Sequence, residues 1–111
     1  MKRNFFLPAV LALFITSCNM ENPLLTESLL PYGAPQFDKI ENKHYLPAFK
    51  QGIKEGKEEI DAIVNNPEAP TFENTIVALE QSGETLGRVG GIFYNIMEAN
   101  TNDELQEIAE E

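Results

Sequence analysis

The side chains of this sequence that could do chemistry are few, and their spacing forms no familiar site. His44 is the only histidine and Cys18 the only cysteine among 111 residues. A zinc site needs three or more protein ligands, usually His, Cys or carboxylate, and no second His is available to complete one. We interpret His44 as a structural or surface residue at the start of a helix. The sequence predicts no metal-binding and no cofactor-binding residue.

Carboxylates are the other candidates for metal or acid–base chemistry. They fall in two groups, Glu58-Glu59 with Asp61 and Glu107 with Glu110-Glu111. Catalytic carboxylates need a cleft and a perturbed pKa. The first group instead lies among lysines on the polar side of a predicted helix, where carboxylates are usually solvated. No Gly-x-Ser-x-Gly motif for a serine nucleophile is present, so the sequence predicts no catalytic residue.

The first 18 residues have the layout of a secretory signal that ends at a cysteine. Lys2 and Arg3 form a basic start, and an apolar run of eleven residues, 5–15, leads through small residues to Cys18. The run is shorter than the ~20 residues that a permanent membrane span needs. We expect residues 1–17 to be a lipoprotein signal peptide and Cys18 to be the lipid attachment site. The alternative is ordinary signal cleavage that leaves Cys18 as an idle thiol.

Acylation of Cys18 would make the protein exported and membrane-anchored. Several acyl chains on one residue hold a protein at a membrane better than a single chain does. Asn19 stands where an Asp would favour retention in the inner membrane of enteric bacteria. The predicted location is therefore the outer membrane and periplasm.

The chain is acidic, and this balance excludes some function classes. It has 18 Asp and Glu against 8 Lys and Arg, a formal charge of −10, and removal of Lys2 and Arg3 with the signal would make it −12. Nucleic-acid binding needs clustered Lys and Arg. Electrostatic adhesion to anionic lipid needs basic residues as well. The composition argues against both.

Hydrophobic periodicity predicts an all-α fold that follows an extended lead-in. Residues 18–43 contain several prolines and are predicted to be an extended tether that lies along a surface formed by other parts of the protein. Residues 44–111 are predicted to be a helical region of two to three amphipathic helices. No β-strand pattern stands out.

The first helix is predicted from His44 to Asn65. Pro47 fits its first turn, and Asn65-Asn66-Pro67 is expected to end it. Apolar side chains at spacings of three, four and seven should form its buried face. These are Leu46, Phe49, Ile53, Ile60, Ile63 and Val64.

A second helix is expected to begin at a cap formed by Thr71 or Asn74 and to run to about Met97. Four glycines between residues 83 and 91 interrupt it, and each costs about 1 kcal/mol of helix propensity relative to Ala. They indicate either close helix–helix approach or a break near Gly83. We expect one long helix with a weak middle.

A third helix is expected after Thr101, because the segment from Thr101 to Glu104 matches a capping box. Leu105 and Ile108 should lie on its buried face. No Gly, Pro or basic last turn follows before Glu111. We therefore expect that the helical region is truncated at Glu111.

Several short sequence segments occur together in a specific order. They are Asn22-Pro23-Leu24-Leu25, the segment from Phe37 to Phe49, Thr71–Ile76, Ala78–Gly83, and Phe93-x-Asn95 with Ala99-Asn100-Thr101-Asn102. Together they resemble the N-terminal region of the M3 family of zinc metallopeptidases, in particular its peptidyl-dipeptidase and oligopeptidase A branch. The resemblance covers about residues 22–111.

The resemblance implies an almost wholly α-helical parent enzyme whose two halves enclose a channel for oligopeptides. It implies zinc held by the two His of HExxH and a downstream Glu, with the Glu of the motif as general base. It also implies release of dipeptides from the C-terminus of short peptides. None of these catalytic positions maps onto this chain, whose helices would belong to the channel wall. We expect the chain to be inactive alone and to bind no zinc and no nucleic acid.

The alternative function is a small acidic helical lipoprotein that acts as a binding or structural module. The two hypotheses differ in independent stability. A module should unfold cooperatively as a monomer, whereas a fragment should be soft and should expose apolar faces, because about 94 residues with an extended start form only a marginal core.

Overall fold

The computed structural model describes residues 21–111, and the regular structure within that range is helical, without a strand. This confirms the predicted all-α class. The predicted signal peptide and the lipid attachment at Cys18 lie outside the described residues. The helices are α1 (Tyr45–Val64), α2 (Ala78–Gln81), α3 (Glu84–Asn100) and α4 (Asp103–Glu110). Short 3-10 turns occupy Pro31–Gly33 and Asn42–His44, and a π-helical segment, Phe72–Val77, continues directly into α2.

Helix α1 agrees with its predicted bounds to within one residue at each end. Pro47 lies in the first turn, where its missing N–H leaves no helical hydrogen bond unmade. At the other end, the Asn65 backbone N–H donates to the Asp61 carbonyl oxygen over 3.0 Å, and the Asn65 side chain donates to the same oxygen over 2.8 Å. Both bonds satisfy a carbonyl that the helix end would leave free.

The core lies between α1 and α3 and is centred on Phe93. The ring of Phe93 makes edge-to-face contacts with Tyr45, Phe49 and Tyr94 at centroid distances of 5.1, 5.2 and 5.2 Å. Such pairs stabilise a core beyond the area that they bury. The fully buried apolar residues are Leu24, Tyr45, Ala48, Val89, Phe93 and Leu105.

The buried face of α1 differs from the predicted one. Tyr45, Ala48 and Gly52 face α3, while much of the predicted apolar face, including Ile53 and Ile60, stays exposed. The reason is the close approach of the two backbones. A Cβ atom built on Gly52 would lie only 3.0 Å from the Cα and N atoms of Leu86. Small residues, rather than the most apolar ones, therefore form this helix contact.

The prediction of one long second helix is wrong, because the chain breaks at Ser82 and Gly83. Ser82 is extended (φ −75°, ψ 152°), and Gly83 adopts a left-handed conformation with φ 74°. The backbone N–H of Gly83 donates to Glu59 Oε2 on α1 over 2.7 Å. Glycine takes this conformation without the steric penalty of a Cβ atom. Thr71 caps the preceding segment as predicted, since its hydroxyl accepts from Asn74 N over 3.0 Å.

The lead-in contributes to the core at Leu24, which is only 1% exposed. Asn22 holds this stretch in place: its side chain donates to the His44 carbonyl over 2.8 Å and accepts from Leu24 N over 3.0 Å. Arg88 of α3 donates to the Leu24 carbonyl over 3.4 Å. The segment around Leu24 is therefore part of the folded unit.

Helix α4 is confirmed, with a cap one residue later than predicted. Asn102, not Thr101, is the cap, and its side-chain oxygen accepts from Leu105 N over 3.0 Å. Leu105 is buried and Ile108 packs against the core, as their spacing predicts. Asn42 donates to Asn102 Oδ1 over 3.2 Å and to Glu104 Oε2 over 2.8 Å, which ties the start of α4 to the turn before α1.

Candidate interaction surface

The acidic side chains that could have formed a metal or acid–base site have structural or solvated positions. Glu58 pairs with Lys54 over 3.4 Å, and Glu111 pairs with Lys50 over 2.8 Å, all well exposed. Glu59 accepts the Gly83 amide described above. Within residues 21–111 no three His, Cys, Asp or Glu side chains come close enough together to hold a metal ion. The described residues therefore do not fit a zinc site.

His44 lies where its sequence position predicts, at the turn that leads into α1. Its Nδ1 atom accepts a hydrogen bond from the Glu41 backbone N–H over 3.0 Å. The His44 backbone N–H donates in turn to the Glu41 carbonyl over 2.9 Å. The first bond holds the imidazole against the turn before α1, and the second closes that turn.

Among residues 21–111 three side chains have a shifted pKa, and each shift has a local structural cause. Hydrogen bonds from the Gln51 and Thr85 side chains hold the pKa of Glu55 below its usual range. A hydrogen bond and the positive charge of Lys43 lower the pKa of Glu41. Burial raises the pKa of Tyr45. The two carboxyl groups lie in solvent, and the tyrosine lies in the core.

A groove of about 490 Å³ runs between α1 and the α2–α3 break. Apolar side chains, Ile53, Ile60 and Leu86, contribute to its walls. Gly56 and Gly83 lie against each other there, since a Cβ atom built on Gly56 would be 3.8 Å from the Gly83 Cα. Its other lining residues are Lys57, Asp61 and Ser82. The groove suits a partner that offers apolar groups.

A second groove, of about 210 Å³, lies where α1, α3 and α4 meet. Leu46, Phe49 and Ile108 line it, and the Lys50–Glu111 ion pair lies at its edge. Ile53 lines both grooves. We call the face that carries Leu46, Phe49, Ile53 and Ile60 the α1 groove face. It is the face that the sequence predicts as apolar, and the described residues cover only part of it.

A further uncovered apolar face follows the π-helical segment. Phe72, Ile76 and Leu79 recur at spacings of four and three, and all are more than half exposed. Their spacing places these residues with Val89 and Phe93 on one apolar stripe of the predicted second helix. The break at Gly83 separates the two halves of that stripe, so only the second half reaches the core.

Sequence analysis missed the residues that set the helix contact, although a signal was present. Gly52 and Gly56 are four residues apart on α1, a spacing that places both on one helix face and allows close approach. The sequence analysis considered close helix approach only for the glycines from Gly83 to Gly91. Yet a Cβ atom at Gly87 or Gly91 would meet nothing within 4 Å.

These observations define an all-α helical unit with a small core, two apolar grooves and, within residues 21–111, no group of three side chains placed to hold a metal ion. Within the same range no helix is both long and apolar enough to cross a membrane. The described residues thus form a helical region that is suited to packing against other parts of a polypeptide chain.

Comparison with known proteins finds peptidases that are similar over most of the chain. The chain is 55% identical over 89 residues to the dipeptidyl carboxypeptidase of Salmonella typhimurium, covering 80% of this chain and 13% of that protein. It is 54% identical over 90 residues to the dipeptidyl carboxypeptidase of Escherichia coli, covering 81% of this chain and 13% of that protein. Oligopeptidase A of Escherichia coli is 29% identical over 92 residues, covering 83% of this chain and 13% of that protein. No family model matches the chain.

Over the matched region the chain is homologous to the M3 family peptidases, which confirms the resemblance of its sequence segments to that family. The chain spans 13% of the length of the curated relatives it matches.

Proposed function

We propose that this chain is the N-terminal helical region of a zinc-dependent peptidyl-dipeptidase or oligopeptidase. The parent enzyme would hydrolyse oligopeptides and release dipeptides from their C-terminus. The helices would form part of the substrate-channel wall, and the zinc and the catalytic residues would belong to another part of the parent. The observation that carries the proposal is the identity of 54–55% to two dipeptidyl carboxypeptidases over four-fifths of the chain.

The uncovered apolar surfaces support this proposal. The α1 groove face and the face of Phe72, Ile76 and Leu79 leave large side chains in solvent. Soluble monomers rarely expose contiguous apolar patches of this kind unless the patch contacts something. A helical region that packs against a larger helical body needs such faces.

The proposal includes export and anchoring through Cys18. Its support is the signal-like sequence of residues 1–17, which is followed by a cysteine in the spacing of a lipoprotein signal. The anchor would place the parent enzyme in the cell envelope, on the outer membrane and in the periplasm, where oligopeptides are its substrates.

A chimeric enzyme tests the peptidase part of the proposal. In the dipeptidyl carboxypeptidase of Escherichia coli, the 90-residue region that aligns with this chain is replaced by the corresponding residues of this chain. We expect the chimera to bind zinc and to release dipeptides from the C-terminus of a blocked peptide. A matched chimera with Gly52→Leu should lose activity, because the side chain would collide with Leu86. A folded, zinc-loaded chimera without activity would contradict the proposal.

The alternative, a stand-alone helical lipoprotein, is favoured by one observation: the chain has a contiguous core around Phe93. Chemical unfolding of the purified chain with its oligomeric state measured in parallel separates the two. A cooperative, monomeric transition without dipeptide release, together with an inactive chimera, would favour the lipoprotein module. Dipeptide release by the chain alone would contradict both hypotheses.

A further inference from the structure

A loop leaves and re-enters the fold beside the start of the described chain. We call residues 25–39 the N-terminal loop. Leu24 before it is buried in the core, and Ile40 after it packs against the core. A shallow pocket joins the two ends, lined by Glu21, Pro23, Lys39, Glu41 and His44. Both ends of the loop therefore lie close to Glu21, the first described residue.

The tip of the N-terminal loop is uncharged and exposes apolar side chains. None of the ten residues from Ser28 to Phe37 is charged, although 23% of the chain is. Leu29 is 96% exposed and Tyr32 is 106% exposed, and more than half of Phe37 is exposed too. An exposed cluster of this kind marks an interaction surface.

The backbone at the tip holds Tyr32 in an unusual conformation. Tyr32 has φ 61°, in the left-handed region, and Gly33 follows with φ 66°. A bulky residue with positive φ is a genuine outlier, and such strained residues concentrate at functional positions. The turn is closed by a hydrogen bond from Gly33 N to the Leu30 carbonyl over 3.0 Å. The result is an aromatic side chain that projects into solvent from a tight, proline-containing turn.

The predicted lipid attachment lies within a few residues of this loop. Three residues separate Cys18 from Asn22, whose side chain is fixed by its bonds to His44 and Leu24. A chain spans at most about 3.5 Å per residue, so four steps reach about 14 Å. An acylated Cys18 would therefore hold Asn22 within that distance of the bilayer. The end of the fold that carries the N-terminal loop would then be the end that meets the membrane.

We infer that the tip of the N-terminal loop is a membrane-contact surface. Leu29, Leu30, Tyr32 and Phe37 enter the interfacial layer of the same bilayer that holds the acyl chains of Cys18, and they fix how the fold is oriented on it. The inference rests on the acylation of Cys18, which is part of the proposed function. Tyrosine suits this layer, because its ring is apolar and its hydroxyl remains hydrated.

The chemistry of the tip also defines which lipid it recognises. The loop tip carries no cation, and the chain has a net charge of −10. Attraction to anionic headgroups needs basic residues near the surface. Contact is therefore apolar, is not strengthened by anionic lipid, and does not weaken as the salt concentration rises. A lipid surface is the favoured occupant because the anchor brings a bilayer within reach.

The test uses the absence of tryptophan from the chain, which makes a single introduced tryptophan a site-specific reporter. The acylated full-length product is purified from membranes as the Tyr32→Trp variant and reconstituted in phosphatidylcholine vesicles. We expect its emission to shift to shorter wavelength and to be quenched by brominated phosphatidylcholine. Leu29→Trp gives a second reporter that does not alter the positive-φ residue and should behave in the same way.

Phe72→Trp is the matched control. Phe72 is also an exposed aromatic residue, but it follows the opposite end of α1, whose 20 residues span about 30 Å. Its emission should not respond to brominated lipid. Mass spectrometry of the same preparations shows whether Cys18 carries acyl chains.

Each other outcome overturns the inference in a distinguishable way. An unmodified Cys18 would overturn both the anchor and the membrane contact. If Cys18 is acylated but lipid leaves the emission of both the Tyr32→Trp and the Leu29→Trp variants unchanged, the membrane contact alone is overturned and the proposed anchor stays intact. Shielded reporters in detergent, with a dimer by sedimentation, would show that a second copy of the chain covers the loop instead.

Discussion

Gly52 controls how closely α1 approaches α3, because it has no Cβ atom. A Cβ atom there would lie 3.0 Å from backbone atoms of Leu86, which cannot move aside as a flexible side chain could. We expect Gly52→Ala to lower the free energy of unfolding by a net amount of up to about 2 kcal/mol, because overpacking costs roughly 1–3 kcal/mol. This cost should exceed the gain in helix propensity of about 1 kcal/mol. Urea unfolding of the chain measures the change.

Gly91→Ala is the control, because a Cβ atom at Gly91 meets nothing within 4 Å and Gly91 also lies inside a helix. Here only the propensity gain applies, so the free energy of unfolding should rise by up to about 1 kcal/mol. Equal shifts for the two variants would show that the Gly52–Leu86 contact is not tight in solution.

The small size of Ala48 and Gly52 explains why hydrophobic periodicity does not predict the contact between α1 and α3. Periodicity ranks residues by hydrophobicity, and by that measure Ile53 and Ile60 outrank Ala48 and Gly52. Close packing follows shape as well, and the backbone of Leu86 can approach only where α1 presents small residues. The presence of the glycines was visible in the sequence, but their partner was not.

At the scale of elements, the lead-in segment is joined to the helices by Leu24. Leu24 is 1% exposed, its backbone N–H donates to Asn22 Oδ1, and its carbonyl oxygen accepts from Arg88. We expect Leu24→Ala to lower the free energy of unfolding by about 2–5 kcal/mol, as for other buried leucines. The segment should also become more sensitive to limited proteolysis. Both changes are measured on the purified chain.

Leu29→Ala is the comparison within the same segment, because Leu29 is almost fully exposed. Its effect on the unfolding free energy should stay within about 0.5 kcal/mol. If Leu24→Ala and Leu29→Ala behave alike, the docking of the lead-in against α3 is not formed in solution.

Element boundaries were predictable where local signals determine them. The Asn65-Asn66-Pro67 signal ends α1 as predicted, and Thr71 caps the next segment as one of two candidates. The glycines allow a break near Gly83 as the alternative to one long helix. It depends on a bond from Gly83 N to Glu59, 24 residues away, which no local pattern contains. The cap of α4 is Asn102, whereas the predicted cap is Thr101. Local signals do not separate the two, because both residue types serve well as caps.

For the whole molecule, the fold class and the family could be predicted from the sequence, whereas the uncovered surfaces could not. Ordered sequence segments such as Thr71–Ile76 indicate a resemblance to the M3 peptidases, and the similar proteins confirm that resemblance. Which apolar face is left in solvent depends on how the helices cross, and hydrophobic periodicity does not specify that crossing. The α1 groove face and the face around Phe72 are the results that connect the fold to the proposed parent enzyme.

Ile53 tests whether the α1 groove face is covered in a complete enzyme. It lines both grooves and is 43% exposed in the described chain. Ile53→Asp should therefore cost the isolated chain only about 1 kcal/mol, the value of a partly buried aliphatic side chain. In the chimeric enzyme the same carboxylate would be buried without a partner, which costs several kcal/mol.

The expected result is a small shift in the urea midpoint of the isolated chain, together with a large loss of thermal stability and of dipeptide release in the chimera. Glu58→Gln is the control, because Glu58 lies on the exposed polar side of α1 and pairs only with Lys54 at the surface. It should change neither protein by more than about 0.5 kcal/mol. An Ile53→Asp chimera as stable and active as the parent chimera would mean that the grooves remain open to solvent in the enzyme. The apolar face would then need a different partner.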